Sequence, residues 1–414
     1  MDWKKAVHVS KNIIKAVLSV CCLAGAVNSN ANEVASYVVG GSEVTTDDQN
    51  WMVTLRASEI NETPFCGGTI INEHWVLTAA HCVVMGAGDS TDASGYFVLK
   101  PGRISIVAGV RDLTQTDIEH YYSVSHVIVH PDYTPFARHI IYEQVDGTTV
   151  TELVHTALNN DLALLRVNRS FSRITPITLA NLVTAEQIDT TLNAQWREES
   201  RPKNVKVSGW GATDPEGVTQ SVTLQQAELS FLPVYECYDR LESGGDAPYI
   251  IDNPFNKIKV CTLPSELLEQ ELAVGADSCK GDSGGPLRAQ NNNGEWVQHG
   301  IVSGAPVGVP VCGSINRPTF YTRVGTYYDW IQSYMGTVPA NSVEEPDIIK
   351  DSKNNADGKD CNADSGGVTA TNCDMIDGGG GTISWHWLLM LLFPAVWRRR
   401  SQERTTIHSN GSLD

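Results

Sequence analysis

Asp277-Ser278-Cys279-Lys280-Gly281-Asp282-Ser283-Gly284-Gly285-Pro286 sets one serine among glycines, beside two acids and a cysteine. Such a run lets backbone close around a hydroxyl, but serine is inert at its own pKa and needs a base. Upstream, Leu77-Thr78-Ala79-Ala80-His81-Cys82 offers the base. An acid to orient it stands in Asn159-Asn160-Asp161-Leu162-Ala163-Leu164-Leu165. A lone Gly-Asp-Ser-Gly would decide little. Three blocks in the order histidine, aspartate, serine decide a great deal.

On these motifs the chain resembles the chymotrypsin/trypsin family of serine endopeptidases, from Val38 to about Met335. The resemblance implies an all-β fold of two packed six-stranded antiparallel Greek-key barrels with a C-terminal helix. It implies Ser283 as nucleophile, His81 as general base and acid, and Asp161 as the group that fixes the imidazole tautomer. The backbone N–H groups of Gly281 and Ser283 would form the oxyanion hole. Ser303, in Gly300-Ile301-Val302-Ser303, falls where the family places a serine on the triad acid. Because none of the three groups is substituted, a catalytically silent surface-binding protein is the lesser reading.

Val38-Val39-Gly40-Gly41 resembles the mature N-terminus of the family. Cutting before Val38 would free an ammonium to pair with Asp282, whose burial without a cation would be costly. The uncut chain is therefore expected to be a zymogen. Tyr37 stands before the cut where Arg or Lys is usual, so a separate activating protease that accepts an aromatic residue is expected.

Substrate choice turns on Asp277, six residues before Ser283, where trypsin-like members place the acid at the floor of the primary pocket. A desolvated carboxylate there selects Arg or Lys by charge pairing. Thr319, in Arg317-Pro318-Thr319-Phe320-Tyr321, replaces a glycine that keeps that pocket open, and Gly304 replaces the usual tryptophan after Ser303. Cleavage after Arg or Lys is the first expectation, and an elastase-like enzyme with a narrowed pocket the alternative. Three long loops, Val83 to Arg103, Tyr133 to Leu158 and Gly304 to Val311, would rim the cleft. Protein or peptide substrates are implied, with no cofactor and no metal, and a monomer is expected.

The bulk properties agree. A chain of 414 residues exceeds one ordinary domain, and a formal charge of -18 argues against a nucleic-acid partner. Short β-branched runs between Gly, Pro, Asn and Asp, such as Ile104–Ala108, Tyr122–Val129, Asn204–Ser208 and Val297–Val302, suit an antiparallel sandwich or barrel. Tyr327 to Met335 carries apolar residues at helical spacing and matches the family's closing helix.

Residues 1–31 read as an export signal, with Lys4, Lys5, Lys11 and Lys15 before an apolar stretch from Ala16 to Val27. Residues 32–37 would be a short propeptide, and 38–337 the protease domain. Export means an oxidising compartment, so the eight cysteines after the signal are read as bridges. Spacing alone cannot choose a pairing. The resemblance pairs Cys66 with Cys82, Cys237 with Cys261, and Cys279 with Cys312, leaving Cys361 and Cys373 for each other. Zinc binding is the rival, but no histidine or CxxC pair supports it.

Residues 338–377, rich in Asp, Asn, Gly and Ser, read as an acidic flexible spacer. Asp360, Asn362 and Asp364 alternate as in a calcium loop, but Ser365 replaces the turn glycine and no glutamate closes it. In residues 378–414, Gly378–Gly381 precedes an apolar run from Ile383 to Trp397, then Arg398-Arg399-Arg400. This pattern resembles the GlyGly-type C-terminal sorting signal of Gram-negative bacteria, whose passengers usually leave by type II secretion. The expected location is the medium or the outer cell surface, with the C-terminal segment as a transient or lasting membrane anchor. A plain membrane tether is the alternative, although 15 residues interrupted by Pro394 fall short of the roughly 20 a spanning helix needs.

Overall fold

The β-branched runs form strands in a computed structural model that describes residues 38–57, 63–86, 93–144, 147–243 and 249–356. Six of them make the first barrel: β1 (Met52–Arg56), β2 (Pro64–Ile70), β3 (Trp75–Thr78), β4 (Ser105–Ala108), β5 (Tyr121–Val129) and β6 (Ala163–Val167). They lie in the order β6-β3-β2-β1-β4-β5, all antiparallel, and β5 pairs with β6 to close the ring, Ile128 opposite Leu164. The second barrel comprises β7 (Val205–Gly209), β8 (Gln225–Leu232), β9 (Lys259–Pro264), β10 (Pro286–Gln290), β11 (Trp296–Gly304) and β12 (Thr319–Arg323). Its order, β8-β7-β10-β11-β12-β9, closes where Leu232 faces Cys261. Read as a cycle, this is the connectivity of the first barrel repeated, and closure leaves neither sheet a free edge of its own.

Strict alternation of buried and exposed residues is missing from several strands. Every residue of β1, β3, β4, β9 and β12 is buried. The inward face fills each barrel, and the outward face is covered by the other barrel, by helices or by loops. This double covering explains why the runs read as continuous apolar stretches.

The all-β expectation holds, with helices on the outside. α1 (Leu182–Gln195) links the barrels, begins at Asn181, whose side chain accepts the Thr184 N–H, and buries Ala185, Ile188 and Leu192. α2 (Val234–Glu242) follows β8 and is tied to β9 by Cys237–Cys261. The closing helix is α3 (Tyr328–Tyr334), as its spacing implied, with Ile331 fully buried in the core of the first barrel. Bridges Cys66–Cys82 and Cys279–Cys312 form as the resemblance implied.

One expectation is corrected. The acidic spacer read from residue 338 does not begin there, because Val343–Glu344 forms β13 and Asp347–Ala356 forms α4. β13 runs parallel to β5, Val343 opposite Val127 and Glu344 opposite Ile128. The far half of β5 has room for it, since β4 pairs only with Tyr121 to Ser123. Ile349 is fully buried in the first barrel's core, and the Asp347 N–H donates to the Pro131 carbonyl at 2.8 Å. Few apolar residues sufficed to dock this strap, too few for composition to announce it. The signal, propeptide, Cys361, Cys373, Asp360, Asn362, Asp364 and the segment from Gly378 lie outside the described residues. Among those described, no helix is long and apolar enough to cross a membrane.

Candidate active site

His81 sits on a 3-10 turn, Ala80–Cys82, directly after β3, and the Cys66–Cys82 bridge ties that turn to β2. Asp161 lies two residues before β6, whose Ala163 faces Thr78 of β3. That register carries the acid to the histidine. The Asp161 carboxylate is fully buried and takes three donors: His81 N–H on Oδ1 at 2.9 Å, His81 Nδ1 on Oδ2 at 2.8 Å and the Ser303 hydroxyl on Oδ2 at 2.5 Å. Its carbonyl accepts the Thr322 hydroxyl at 2.8 Å. Both Ser303 and Thr322 belong to the second barrel, so the pair is held from both sides.

Burial alone would lift the Asp161 carboxyl, but the charge and hydrogen bonds of His81, with that of Ser303, hold it below the usual carboxylate range. For His81 burial favours the neutral ring most strongly. The charge and hydrogen bond of Asp161 together outweigh it and raise the imidazole, against opposition from Lys259.

The serine approaches from the second barrel. Its carbonyl accepts the Gly67 N–H of β2 at 2.7 Å and lies 3.6 Å from Cys82 Sγ. Gly284 follows in the left-handed region, where a Cβ would come within 2.2 Å of Thr78 Oγ1 and 2.5 Å of the Gly67 carbonyl. Only glycine lets the two backbones pass this closely. Gly281, at φ 101°, packs against Gly211 in the same way. Among the described residues, neither the Gly281 N–H nor the Ser283 N–H donates to a protein acceptor. No hydrogen bond joins Ser283 Oγ to His81 Nε2 among them. Histidine, acid and Ser303 thus form one bonded chain, and the serine stands alongside without the last link, which in ligand-free enzymes often tightens only in the complex.

Asp282 is fully buried, accepting the Gly211 N–H on one oxygen and the Cys279 N–H on the other, each at 2.8 Å. Burial pushes its carboxyl up to about 6. Val38 is also fully buried, and the Val39 carbonyl accepts the Asp277 N–H at 3.0 Å. The expected new N-terminus therefore already lies against the loop that holds Asp277 and Asp282.

A pocket of about 380 Å³ opens beside Ser283, walled by Ser278, Val302, Ala305, Val307 and Thr319. Asp277 is not on its wall. The carboxylate lies behind Thr319, whose hydroxyl donates to it at 2.8 Å, with further donors from the N–H groups of Ser278 at 2.9 Å and Gly313 at 3.3 Å. Burial lifts this carboxyl to about 7 against the pull of those bonds. Gly304 leaves space that Phe320 occupies, its Cζ 3.0 Å from where a Cβ would stand. Beyond the wall, the two long loops from the first barrel fold into hairpins, Val84–Met85 with Phe97–Val98 and Arg138–Glu143 with Thr149–His155. Tyr96 and Phe136 join them, with ring centres 5.7 Å apart.

His81, Asp161 and Ser303 are thus joined by hydrogen bonds, Ser283 lies beside the turn that carries His81, and Cys237–Cys261 lies apart from them, between α2 and β9. The structure adds Gly67 and Gly211, which bear on the site through backbone N–H groups, and Thr322, which bears on it through its hydroxyl; none carried a motif of its own. Cys66 and Cys82 lie with His81 in a cluster of potential ligand atoms, but their sulfurs are spent on a disulfide.

A family model, Trypsin, matches residues 38–331. This chain belongs to the trypsin family. Tryptase of Mus musculus is similar to it, 29% identical over 305 residues, which cover 72% of this chain and 88% of that protein. As a trypsin-family member the chain is a serine endopeptidase, a hydrolase. The matched span ends within α3, so the β13–α4 strap lies beyond the part that defines the family.

Proposed function

We propose that this trypsin-family protein hydrolyses peptide bonds through an acyl-enzyme on Ser283. His81 takes the serine proton during attack on the carbonyl and returns it to the departing amine. Water then repeats the sequence to release the acid. The observation that carries this reading is the fully buried Asp161, bonded to both the backbone and Nδ1 of His81. With Nδ1 engaged as donor, Nε2 is left as the basic nitrogen on the serine side. The unengaged N–H groups of Gly281 and Ser283 suit a developing oxyanion, where one donor is worth roughly 3–4 kcal/mol.

Cleavage after Arg or Lys remains the leading specificity. A carboxylate held at about 7 in a buried site is costly, and an elastase-type pocket has no use for one. The elastase-like alternative draws support from Thr319, which stands between that carboxylate and the pocket. The uncut chain is a zymogen in this proposal. Release of the Val38 ammonium supplies the cation that Asp282 lacks, and another protease makes the cut after Tyr37. Export, surface retention and removal of the C-terminal segment complete the proposal, supported by the sequence patterns alone.

Labelling by a fluorophosphonate after cleavage before Val38 tests the chemistry: Ser283 is modified, and Ser283→Ala is not. A cleaved, folded chain that resists the reagent would mark a silent binding scaffold. Peptides differing only before the scissile bond test specificity, and a lack of turnover after Arg and Lys would reject the basic preference. Mass spectrometry of the mature C-terminus tests sorting, since an intact end beyond Gly381 excludes it.

A further inference from the structure

One buried cation near the crevice has no part in this mechanism. Lys259, on β9, is 3% exposed, and its ammonium donates to the Leu158 carbonyl and lies 5.1 Å from the centre of the Phe320 ring. Among the described residues, no carboxylate lies within ion-pair distance of it. A lysine buried without a counter-ion is expensive, so its retention calls for a physical reason.

The acceptor supplies one. Leu158 begins the segment Leu158-Asn159-Asn160-Asp161 that delivers the acid to His81, and both Leu158 (φ 49°) and Asn160 (φ 52°) occupy the left-handed region. That conformation is unfavourable for leucine above all, since it carries a side chain and no local polar group to compensate. Something must hold it. Asn160 is held by the Tyr327 hydroxyl, which donates to its Oδ1 at 2.7 Å, and Leu158 is held by Lys259. Lys259 also faces Thr322 across the β9–β12 pairing, and Thr322 is the residue that grips the Asp161 carbonyl.

We propose that Lys259 is a positioning residue for the catalytic pair: its ammonium pins the left-handed turn that carries Asp161, and its positive charge, without a counter-ion among the described residues, acts on Asp161 and His81. The charged groups facing it are Asp161 on that turn, Glu242 at the end of α2 and Asp252 in the following loop. All three favour the ammonium, while burial, the larger influence, brings it down to about 8. At neutral pH the lysine is therefore still mainly charged. Its charge disfavours protonated His81, so the base stays available at lower pH than Asp161 alone would allow.

This inference rests on the hydrolytic reading, and the experiment separates the two. Fluorophosphonate labelling and casein turnover by the cleaved wild type must first show activity, and their absence would sink the hydrolytic reading itself. The pH dependence of kcat/KM and of the labelling rate is then measured for Lys259→Met, Lys259→Gln and Lys259→Arg. In the Met and Gln variants the acid limb moves upward, so that kcat/KM falls roughly threefold more at pH 6 than at pH 9. Gln, which can still donate to Leu158, retains more activity at pH 9 than Met. Arg keeps the acid limb of the wild type. Equal losses at every pH, with an unmoved acid limb, would overturn the proposal and leave Lys259 a purely structural residue. Should the Met and Gln variants fail to fold, Arg decides: a folded enzyme with the wild-type limb upholds the need for charge, and any other result refutes it.

Discussion

Replacing Asp282 with asparagine in the uncut chain probes the proposed activation by the Val38 ammonium where it is most open to measurement. In the structure this carboxyl is fully buried, served only by two backbone N–H groups among the described residues, and raised from 3.8 to about 6. The sign follows from proton binding. Below pH 3.8 the group is protonated in both states and contributes nothing to the pH dependence. Between 3.8 and about 6 the unfolded chain releases its proton while the folded chain retains it, so stability falls as pH rises. The shift corresponds to about 3 kcal/mol, lost by pH 7. Asp277, lifted to about 7, acts in the same direction, and acids with lowered values act in the opposite one. Only the difference between wild type and Asp282→Asn isolates this group. Asparagine accepts one of the two N–H groups and turns its amide against the other, a penalty of roughly 1–3 kcal/mol that does not change with pH. The assay is urea unfolding of the uncut chain at pH 4 and pH 7, with Ser283→Ala in both proteins to prevent self-digestion. Since part of the shift is already lost at pH 4, the wild-type side chain should lose about 2 kcal/mol more than asparagine between those pH values. After cleavage before Val38 that excess should vanish or reverse, because the ammonium then favours the charged carboxylate. Identical pH slopes with aspartate and asparagine in the uncut chain would refute the reasoning.

Asp161→Asn, which keeps the shape but reverses the preferred imidazole tautomer, should lower kcat by roughly 10⁴-fold with little change in KM, read by steady-state kinetics. Thr319→Gly removes both the hydroxyl bonded to Asp277 and the wall before it. Turnover of Arg and Lys peptides should rise roughly 10-fold as a charge-assisted contact becomes direct. In the unaltered enzyme, KM for basic substrates should climb as pH falls below about 7, where Asp277 takes up its proton, while KM for small apolar substrates stays level. Ile349→Ala should destabilise the protein by roughly 2–5 kcal/mol in urea, since its side chain is fully buried against the first barrel. A loss below the error of that measurement would mean that the strap is not part of the cooperative fold.

Much of the site was legible because its residues are chemically scarce and locally marked. A serine among glycines, a histidine before a cysteine and an aspartate before an apolar run each announce themselves. Bonded partners outside those runs did not. Gly67 acts through its backbone N–H, which any residue could supply, and Thr322 through one hydroxyl in a strand that carries no motif. The strap was missed for a related reason: Val343, Ile348 and Ile349 are three apolar positions in a polar window, and only the open half of β5 makes them enough. α1 also escaped the sequence reading, since its buried face consists of only Ala185, Ile188 and Leu192 on an otherwise exposed helix.

The chain's local order determined which groups take part, the short strands that carry them and the family they belong to, because those depend on side-chain chemistry and on neighbours in sequence. Tertiary structure alone decided how the groups meet: Asp161 brought to His81 by the pairing of β3 with β6, Asp277 screened by Thr319 from a strand 42 residues away, and Lys259 set against the turn before Asp161. Distances across a closed barrel follow from register and closure, and these arise only when every strand has found its partner.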